Sequence, residues 1–216
     1  MTRRILGLVL ATTLTAACET EQPPIGCPVQ NLIWSATYKP KGESGCPVKA
    51  GEQLGIQKFS TPSGDETFSI KPATLEELDE ADPQHLPYSL GPLAKEADAD
   101  GFCSANDMAV AEKQAPNEGD SPGRHVIYRW SNVRILAIPR APGTQMVADL
   151  EYTEDGCTAE YEVWAMWPGD VDCDNGSGEP DNDMCAKAGT INPDFATVCD
   201  PALLKCVPAK RPPSLK

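Results

Sequence analysis

The stretch TQMVADLEYTEDGCTAEYEVWAMWP, residues 144–168, predicts a two-stranded antiparallel hairpin. Apolar and polar residues alternate on both sides of Asp155-Gly156. Both positions of that dipeptide accept the positive φ of a tight hairpin turn. Centred on this turn, the register places Leu150 opposite Tyr161 and gives the hairpin one wholly apolar face. A slip of one residue would expose that face, so the register is well specified.

The opposite face of the predicted hairpin is acidic. The same register sets two carboxylates directly against two others: Asp149 against Glu162, and Glu151 against Glu160. Like charges directly opposed on a sheet cost roughly 0.2–1 kcal/mol per pair. Two interpretations are open: Arg129 or Arg134 on the preceding strand neutralises these carboxylates, or a bound cation does.

Strand-like segments precede the hairpin and indicate a mainly β fold. They are rich in β-branched and aromatic residues and are bounded by turn-forming residues. The predicted strands are NLIWSATY (31–38), EQLGIQKF (52–59), ETFSIKP (66–72) and HVIYRWSNVRILAIP (125–139), the last one long or bent. The predicted fold is an antiparallel sandwich or small barrel over residues 27–168.

Between residues 72 and 122 the pattern favours a short helical insertion. TLEELDEA (74–81) and SANDMAVAEK (104–113) each begin with a hydroxyl residue that an acidic residue follows three positions later. This is the spacing of a reciprocal helix cap. The prediction is therefore two short helices that lie on the β domain.

The C-terminal part is predicted to be a separate disulfide-rich module. Residues 169–210 are acidic and contain four cysteines, and residues 211–216 form a tail that we expect to fray. Such a short module has almost no core of its own. Each disulfide, at about 2–4 kcal/mol, would supply much of its stability.

Acidic residues are concentrated towards the C-terminus. No Lys or Arg lies between Arg140 and Lys187, whereas twelve carboxylates do. DVDCD (170–174) has the spacing that begins a calcium loop, although Asn175 stands where such a loop needs glycine. A solvated acidic face is one interpretation. The other is a weak Ca²⁺ site that uses Asp149, Glu151, Glu160, Glu162, Asp170, Asp172 and Asp174.

The N-terminus has the features of a signal peptide. Arg3 and Arg4 precede the apolar run ILGLVLATTL (5–14), which is too short to span about 30 Å of hydrocarbon as a helix. Small residues and then Cys18 follow. This ending resembles the lipobox of bacterial lipoproteins, in which the cysteine thiol receives a diacylglyceryl group and signal peptidase II cuts before that cysteine.

The lipobox resemblance covers residues 1–18 and implies where the protein resides. Residues 1–17 would be a signal peptide and residues 18–26 a lipidated tether, with palmitate on Cys18. The protein would then be anchored in the bacterial cell envelope, facing the periplasm or the cell surface. Ordinary secretory cleavage after Ala17, which would leave Cys18 as a free thiol, is the alternative.

The cysteine count agrees with this location. Nine cysteines are an odd number, and eight remain once Cys18 is assigned to the lipid. An oxidising compartment favours four disulfides among these eight. The tetrapeptide GCPV occurs at residues 26 and 45, which suggests a Cys27–Cys46 bridge. The remaining cysteines are Cys103, Cys157, Cys173, Cys185, Cys199 and Cys206.

Composition excludes several function classes. Without Arg3 and Arg4 the mature chain has 16 Lys and Arg against 32 Asp and Glu, which disfavours nucleic acid as a partner. Two histidines cannot form a three-histidine zinc site, and no G-x-S-x-G nucleophile motif is present. We expect no cofactor and no catalytic residues.

The sequence therefore predicts a lipid-anchored, non-catalytic envelope protein with a binding or structural role. Its partners would be the membrane, through the anchor, and an envelope protein or a glycan. One alternative is a calcium-stabilised or sugar-binding surface module, the latter using Trp164 and Trp167. Another is an envelope hydrolase that uses a pair of carboxylates, because such pairs have no sequence signature.

Overall fold

The computed structural model describes residues 26–117 and 122–216. The predicted signal peptide and Cys18 lie outside the described residues. The fold is mainly β and antiparallel, as predicted. The described strands and helices are β1 (Leu32–Pro40), β2 (Gly51–Ser60), β3 (Glu66–Pro72), α1 (Ala73–Glu77), β4 (Ser89–Pro92), β5 (Phe102–Ala105), β6 (Ala111–Ala115), β7 (Arg124–Ile138), β8 (Ala141–Glu154), β9 (Cys157–Met166), α2 (Asn182–Lys187), β10 (Thr197–Asp200) and β11 (Lys205–Pro208).

The main sheet closes on itself to form a small barrel. Its strand order is β4-β3-β2-β1-β9-β8-β7-β5, and β6 pairs with the other end of β7. The two end strands are joined by a bridge between Leu93 and Ala105 and by a 2.8 Å hydrogen bond from Ala94 N to Ser104 O. Of the two predicted architectures, the barrel is the one observed.

The barrel interior is the main hydrophobic core. Side chains alternate across each strand, so every second residue points inward. On β1 these residues are Trp34, Ala36 and Tyr38, and across the barrel β7 contributes Tyr128 and Trp130, all of them buried. This layer of aromatic rings fills the interior, so the barrel is a packed core and not a channel.

The predicted hairpin forms with the predicted register. β8 and β9 pair Leu150 with Tyr161 and Asp149 with Glu162. The turn residues Asp155 and Gly156 have φ values of 51° and 82°, the positive values that the dipeptide was expected to adopt. The local sequence therefore specified this element correctly.

Of the two helices predicted in the insertion, the first is confirmed as α1 and the second, over residues 104–113, is wrong. Only α1 is helical between residues 72 and 122, within the part of that segment that is described. Residues 102–105 and 111–115 are the strands β5 and β6, because both pair with the long strand β7. The backbone hydrogen bonds that β5 and β6 form with β7 outweigh the helix preference that a two-residue capping pattern indicates. In the described part of the chain, no helix is long and apolar enough to cross a membrane.

Four disulfides join the eight remaining cysteines, but the predicted Cys27–Cys46 bridge is wrong. Cys27 precedes β1 and Cys46 follows it, so they lie at opposite ends of a nine-residue strand. At about 3.3 Å per residue that strand separates its ends by roughly 30 Å, far beyond the reach of a disulfide. The observed bridges are Cys27–Cys103, Cys46–Cys157, Cys173–Cys199 and Cys185–Cys206.

The C-terminal module packs on the outside of the barrel. Its small sheet, β10 and β11, and helix α2 are held by two internal disulfides. A second hydrophobic cluster joins Phe195 of the module to Leu136, Val147 and Met166 on the outer face of the barrel. The tail expected to fray is instead packed: Ser214 is fully buried and exchanges hydrogen bonds with Gln145.

Candidate functional site

The acidic face of the hairpin is neutralised by side chains of the protein. Arg129, which lies opposite Glu151 in the register of β7 and β8, forms a 3.0 Å ion pair with that carboxylate. This is one of the two predicted arginine contacts. Arg134 instead lies 2.7 Å from Asp98, and its guanidinium packs over the ring of Phe102.

Two further cations reach this face from distant parts of the chain. Lys41, just after β1, lies 2.6 Å from Asp149, and Arg211 of the tail lies 2.7 Å from Glu162. Partial burial raises the pKa of Asp149, but its hydrogen bonds from Lys41 and Asn132 outweigh burial and lower that pKa. Three of the four opposed carboxylates therefore have a partner without any bound ion.

Two carboxylates of the acidic loop at residues 170–174 form contacts within the C-terminal module. Asp172 pairs with Lys205 of β11, and Asp174 accepts hydrogen bonds from the backbone N–H groups of Gly176 and Gly178. Asp170 is exposed. These contacts fix the conformation of the loop.

Potential metal ligands come together at one place in the described residues, the sulfur atoms of Cys173, Cys185 and Cys206. All three belong to disulfides and offer no thiolate. Within the described residues, the seven carboxylates proposed as Ca²⁺ ligands do not come together in such a cluster. Calcium binding at these carboxylates stays a prediction.

The two tryptophans considered for sugar binding take part in the protein's own packing. Trp164 donates from Nε1 to Glu162 at 2.7 Å, and Lys39 Nζ lies 5.2 Å from its ring centroid. The ring also packs against the second hydrophobic cluster, while Trp167 packs against the barrel core. The arrangement explains both rings without a ligand.

A buried carboxylate closes one end of the barrel. Glu52 on β2 accepts hydrogen bonds from Tyr38 Oη (3.0 Å), Tyr128 Oη (2.5 Å) and the backbone N–H of Thr74 (2.8 Å), and Lys49 Nζ lies 3.3 Å away. Burial first, and then the negative charge of Glu52, raise the pKa of both tyrosines well above the ordinary value. The phenols therefore stay protonated and act as donors. Glu52, Tyr38 and Tyr128 are buried and Lys49 is partly exposed, so we assign the network a structural role.

A second buried cluster holds the loop after α1. Lys113 on β6 is fully buried, and its ammonium lies 2.6 Å from Asp79 and donates to the carbonyl oxygens of Asp82 and His85. The Asp82 side chain accepts from the backbone N–H of Gln114 at 2.7 Å and lies 2.8 Å from His85 Nδ1. The other histidine, at the start of β7, has its own carboxylate partner on β6.

Asp82 makes this cluster sensitive to acid. Burial raises its pKa, but the hydrogen bonds from Gln114 and His85 outweigh burial, so the pKa is about 2. The unfolded value is about 3.9. A carboxyl with a lowered folded pKa stabilises the protein fully above the unfolded value and loses that contribution as the pH falls through the folded value.

The Asp82→Asn variant should therefore be less stable than wild type at pH 7, and the difference should shrink between about pH 4 and pH 2. Thermal unfolding of the mature chain at pH 7, 4 and 2 measures this. Asp100→Asn, which changes an exposed carboxylate, is the control and should run parallel to wild type. A gap between Asp82→Asn and wild type that is the same at pH 2 as at pH 7 would refute the assignment.

An exposed apolar groove lies on the outer face of β1 to β4. Its volume is about 590 Å³. Its apolar rim consists of Leu32 (67% exposed), Ile33, Phe59 (49% exposed) and Leu90 (38% exposed), and Tyr88 lies at one end. We call these residues the apolar groove. A contiguous apolar surface rimmed by polar residues is typical of a binding site.

Glycine and small side chains shape the floor of the groove. Gly55 pairs with Ile33 on one side and Lys71 on the other, so the strand carries no side chain at this point. Thr67 and Ser69 on β3 continue the floor. The charged lining residues, Lys71 and Glu76, form a 3.0 Å ion pair with each other. The lining thus carries no net charge.

The groove lies beyond the part of the barrel that the C-terminal module covers. Ser35 and Thr37 face outward from β1 but are buried, and Ser35 donates to the carbonyl of Cys206 in the module. Ile33, two residues earlier on the same face, is past the edge of the module and is exposed. The alternation of side chains along the predicted strand NLIWSATY indicates that Ile33 faces outward. The sequence does not indicate how much of the barrel surface the C-terminal module covers.

A disulfide-bridged β domain that follows a lipobox-type N-terminus defines a bacterial lipoprotein. Residues 32–168, which span the barrel strands, match the family model described as MlpA. The whole chain is also 35% identical to a Myxococcus xanthus protein named "Putative lipoprotein MlpA", over 238 aligned residues that cover all of both proteins.

The chain therefore belongs to the MlpA family. It is a membrane-anchored lipoprotein of the bacterial cell envelope, in agreement with the resemblance of residues 1–18. No solved structure matches this chain.

Proposed function

We propose that this protein is a non-catalytic binding protein of the cell envelope, that Cys18 carries the lipid anchor, and that the apolar groove is the binding surface. The groove is the observation that carries the proposal. It is an exposed apolar surface, whereas the outer face of the β8–β9 hairpin carries opposed carboxylates and another part of the barrel is covered by the C-terminal module. Burial of apolar side chains is the main source of binding energy at such a surface.

The chemistry of the groove supports a role in binding over one in catalysis. Its lining carboxylate, Glu76, is held by Lys71. The two histidines, His85 and His125, pair with carboxylates elsewhere. General acid–base catalysis needs a titratable group within reach of the substrate. Apart from this ion pair, the groove offers apolar contact, the hydroxyl groups of Thr67, Ser69 and Tyr88 and the amide of Gln57.

The disulfides support an oxidising side of the envelope. Cys46–Cys157 joins the loop after β1 to the turn between β8 and β9, and Cys27–Cys103 ties the start of the described chain to β5. Disulfides of this kind persist in the periplasm and on cell surfaces. The barrel would then face the periplasm or the exterior.

An uncharged apolar dye, N-phenyl-1-naphthylamine, tests whether the groove binds apolar compounds. In the mature chain with Cys18→Ser, the Leu90→Asn variant should bind the dye about tenfold more weakly, because it loses about 1.5 kcal/mol of apolar contact. Dye fluorescence in a titration measures the affinity. The matched control is Val48→Asn, since Val48 is 72% exposed but lies outside the groove.

The control decides the interpretation of the dye titration. Val48→Asn should bind the dye as the parent chain does. If both substitutions weaken dye binding equally, the dye binds exposed apolar side chains in general. That result would contradict the proposal that the groove is the binding surface.

A further inference from the structure

We propose that the apolar groove rests on the lipid bilayer that holds the anchor, with Leu32, Phe59 and Leu90 at the boundary between headgroups and acyl chains. The bilayer is thus the apolar partner of the groove. This inference rests on the proposed function, because it requires lipid on Cys18. Three observations support it: the reach of the tether, the distribution of charge around the barrel and the shape of the groove.

The tether holds the groove close to the membrane. The described chain begins at Gly26, eight residues after Cys18. At no more than about 3.6 Å per residue, these residues span at most about 29 Å. Cys27 is fixed to the barrel by its disulfide, and its carbonyl accepts a 2.7 Å hydrogen bond from Lys58.

The tether therefore leaves the barrel at the end of β2 that carries the groove. Phe59 follows Lys58 directly on β2. Leu32 follows Cys27 by five residues and begins β1. The rim of the groove thus lies beside the point at which the anchor segment joins the barrel, and a short tether keeps that rim near the bilayer.

The distribution of charge around the barrel favours the same orientation, with the groove facing the membrane. In the closed ring of eight strands, β3 at the floor of the groove is four strands away from β8, which is the opposite side of the barrel. Asp149 and Glu151 lie on β8. With the groove on the membrane, these carboxylates point away from anionic headgroups, which would repel them. The groove itself carries only the Lys71–Glu76 pair.

The shape of the groove suits a fluid surface. Rim side chains protrude on both sides of a concave floor, so a flat rigid partner would touch the rims alone. Lipid chains can enter the floor as well, which buries more apolar area. Tyr88, at the end of the groove, has the ring and hydroxyl that suit the headgroup region.

Hydroxyl-radical footprinting of the lipidated protein on vesicles of phosphatidylethanolamine and phosphatidylglycerol tests this orientation. The reference is the soluble mature chain with Cys18→Ser. Oxidation of Leu32, Phe59 and Leu90 should fall at least about threefold on vesicles, because the interface excludes water from buried apolar side chains. Val48, which is 72% exposed and precedes β2 at the end opposite Phe59, should be oxidised equally in both states.

A matched pair of variants identifies the groove as the cause of protection. Phe59→Asp in the lipidated protein should return the oxidation of Leu32 and Leu90 on vesicles towards the level in solution. Val48→Asp, a like change at an exposed apolar side chain outside the groove, should leave their protection intact. Equal effects of the two substitutions would overturn the proposal.

Flotation of the same samples separates the two proposals. If the protein floats with the vesicles but its groove is oxidised as in solution, the groove does not rest on the bilayer and only this inference fails. If the protein does not float, anchoring itself fails. Protection of the groove in the soluble chain that grows with protein concentration would show that a second copy covers it, which also overturns the inference.

Discussion

A Cys18→Ser variant should incorporate no labelled palmitate and should leave the membrane fraction or accumulate as uncut precursor. The serine hydroxyl cannot form the thioether that carries the diacylglyceryl group. Each acyl chain contributes roughly 0.8 kcal/mol per buried methylene, so loss of all chains removes essentially the whole attachment. Metabolic labelling followed by fractionation measures both effects.

The control for this experiment is Thr15→Leu. Leu is the residue that the lipobox pattern prefers three positions before the cysteine, so this variant should be labelled at least as well as wild type. Palmitate that persists in Cys18→Ser would place the lipid on another residue. The eight cysteines of the described domain are in disulfides, so a second lipidated thiol is not available there.

Local sequence predicted the elements whose partners are close in the chain. The β8–β9 hairpin follows from Asp155-Gly156 and from strict alternation around it. Arg129 was found because it lies on the next strand, directly opposite Glu151. In both cases, turn geometry and strand parity limit the possible contacts to a few.

Contacts between distant segments were not predictable in the same way. Lys41 and Arg211 reach the hairpin acids only because β1 pairs with β9 and because the tail folds back over the barrel. The Cys27–Cys46 prediction failed for a different reason: the strand predicted between these cysteines already places them at opposite ends of the barrel.

The capping pattern at residues 104–113 shows how tertiary pairing overrides local preference. β8 pairs with one edge of β7. A helix at residues 104–113 would leave the other edge without hydrogen-bond partners, whereas β5 and β6 pair with the two ends of that edge. The apolar groove was missed for a similar reason. Its rim is assembled from strands β1 to β4, and it lies beyond the part of the barrel that the C-terminal module covers.

The Glu52→Ala variant should lose about 3–5 kcal/mol of unfolding free energy, which for a domain of this size lowers the melting temperature by roughly 10 °C. The substitution removes the acceptor shared by Tyr38, Tyr128 and the backbone of Thr74. Their buried donors would then lack a partner, each at a cost of about 1–3 kcal/mol. Chemical and thermal unfolding of the mature chain measure the change.

Two further variants distinguish the effect of losing the buried hydrogen-bond network of Glu52 from the effect of losing a carboxylate charge. Glu76→Ala breaks an exposed ion pair with Lys71 and should change stability by no more than about 0.5 kcal/mol. Glu52→Gln keeps the size and one acceptor oxygen but turns an amide donor towards groups that already donate, so its loss should be intermediate. If Glu52→Ala is as mild as Glu76→Ala, the carboxylate does not hold this end of the barrel. A large loss with an unchanged apolar groove, judged by dye binding, would show that the Glu52 network stabilises the barrel independently of the binding surface.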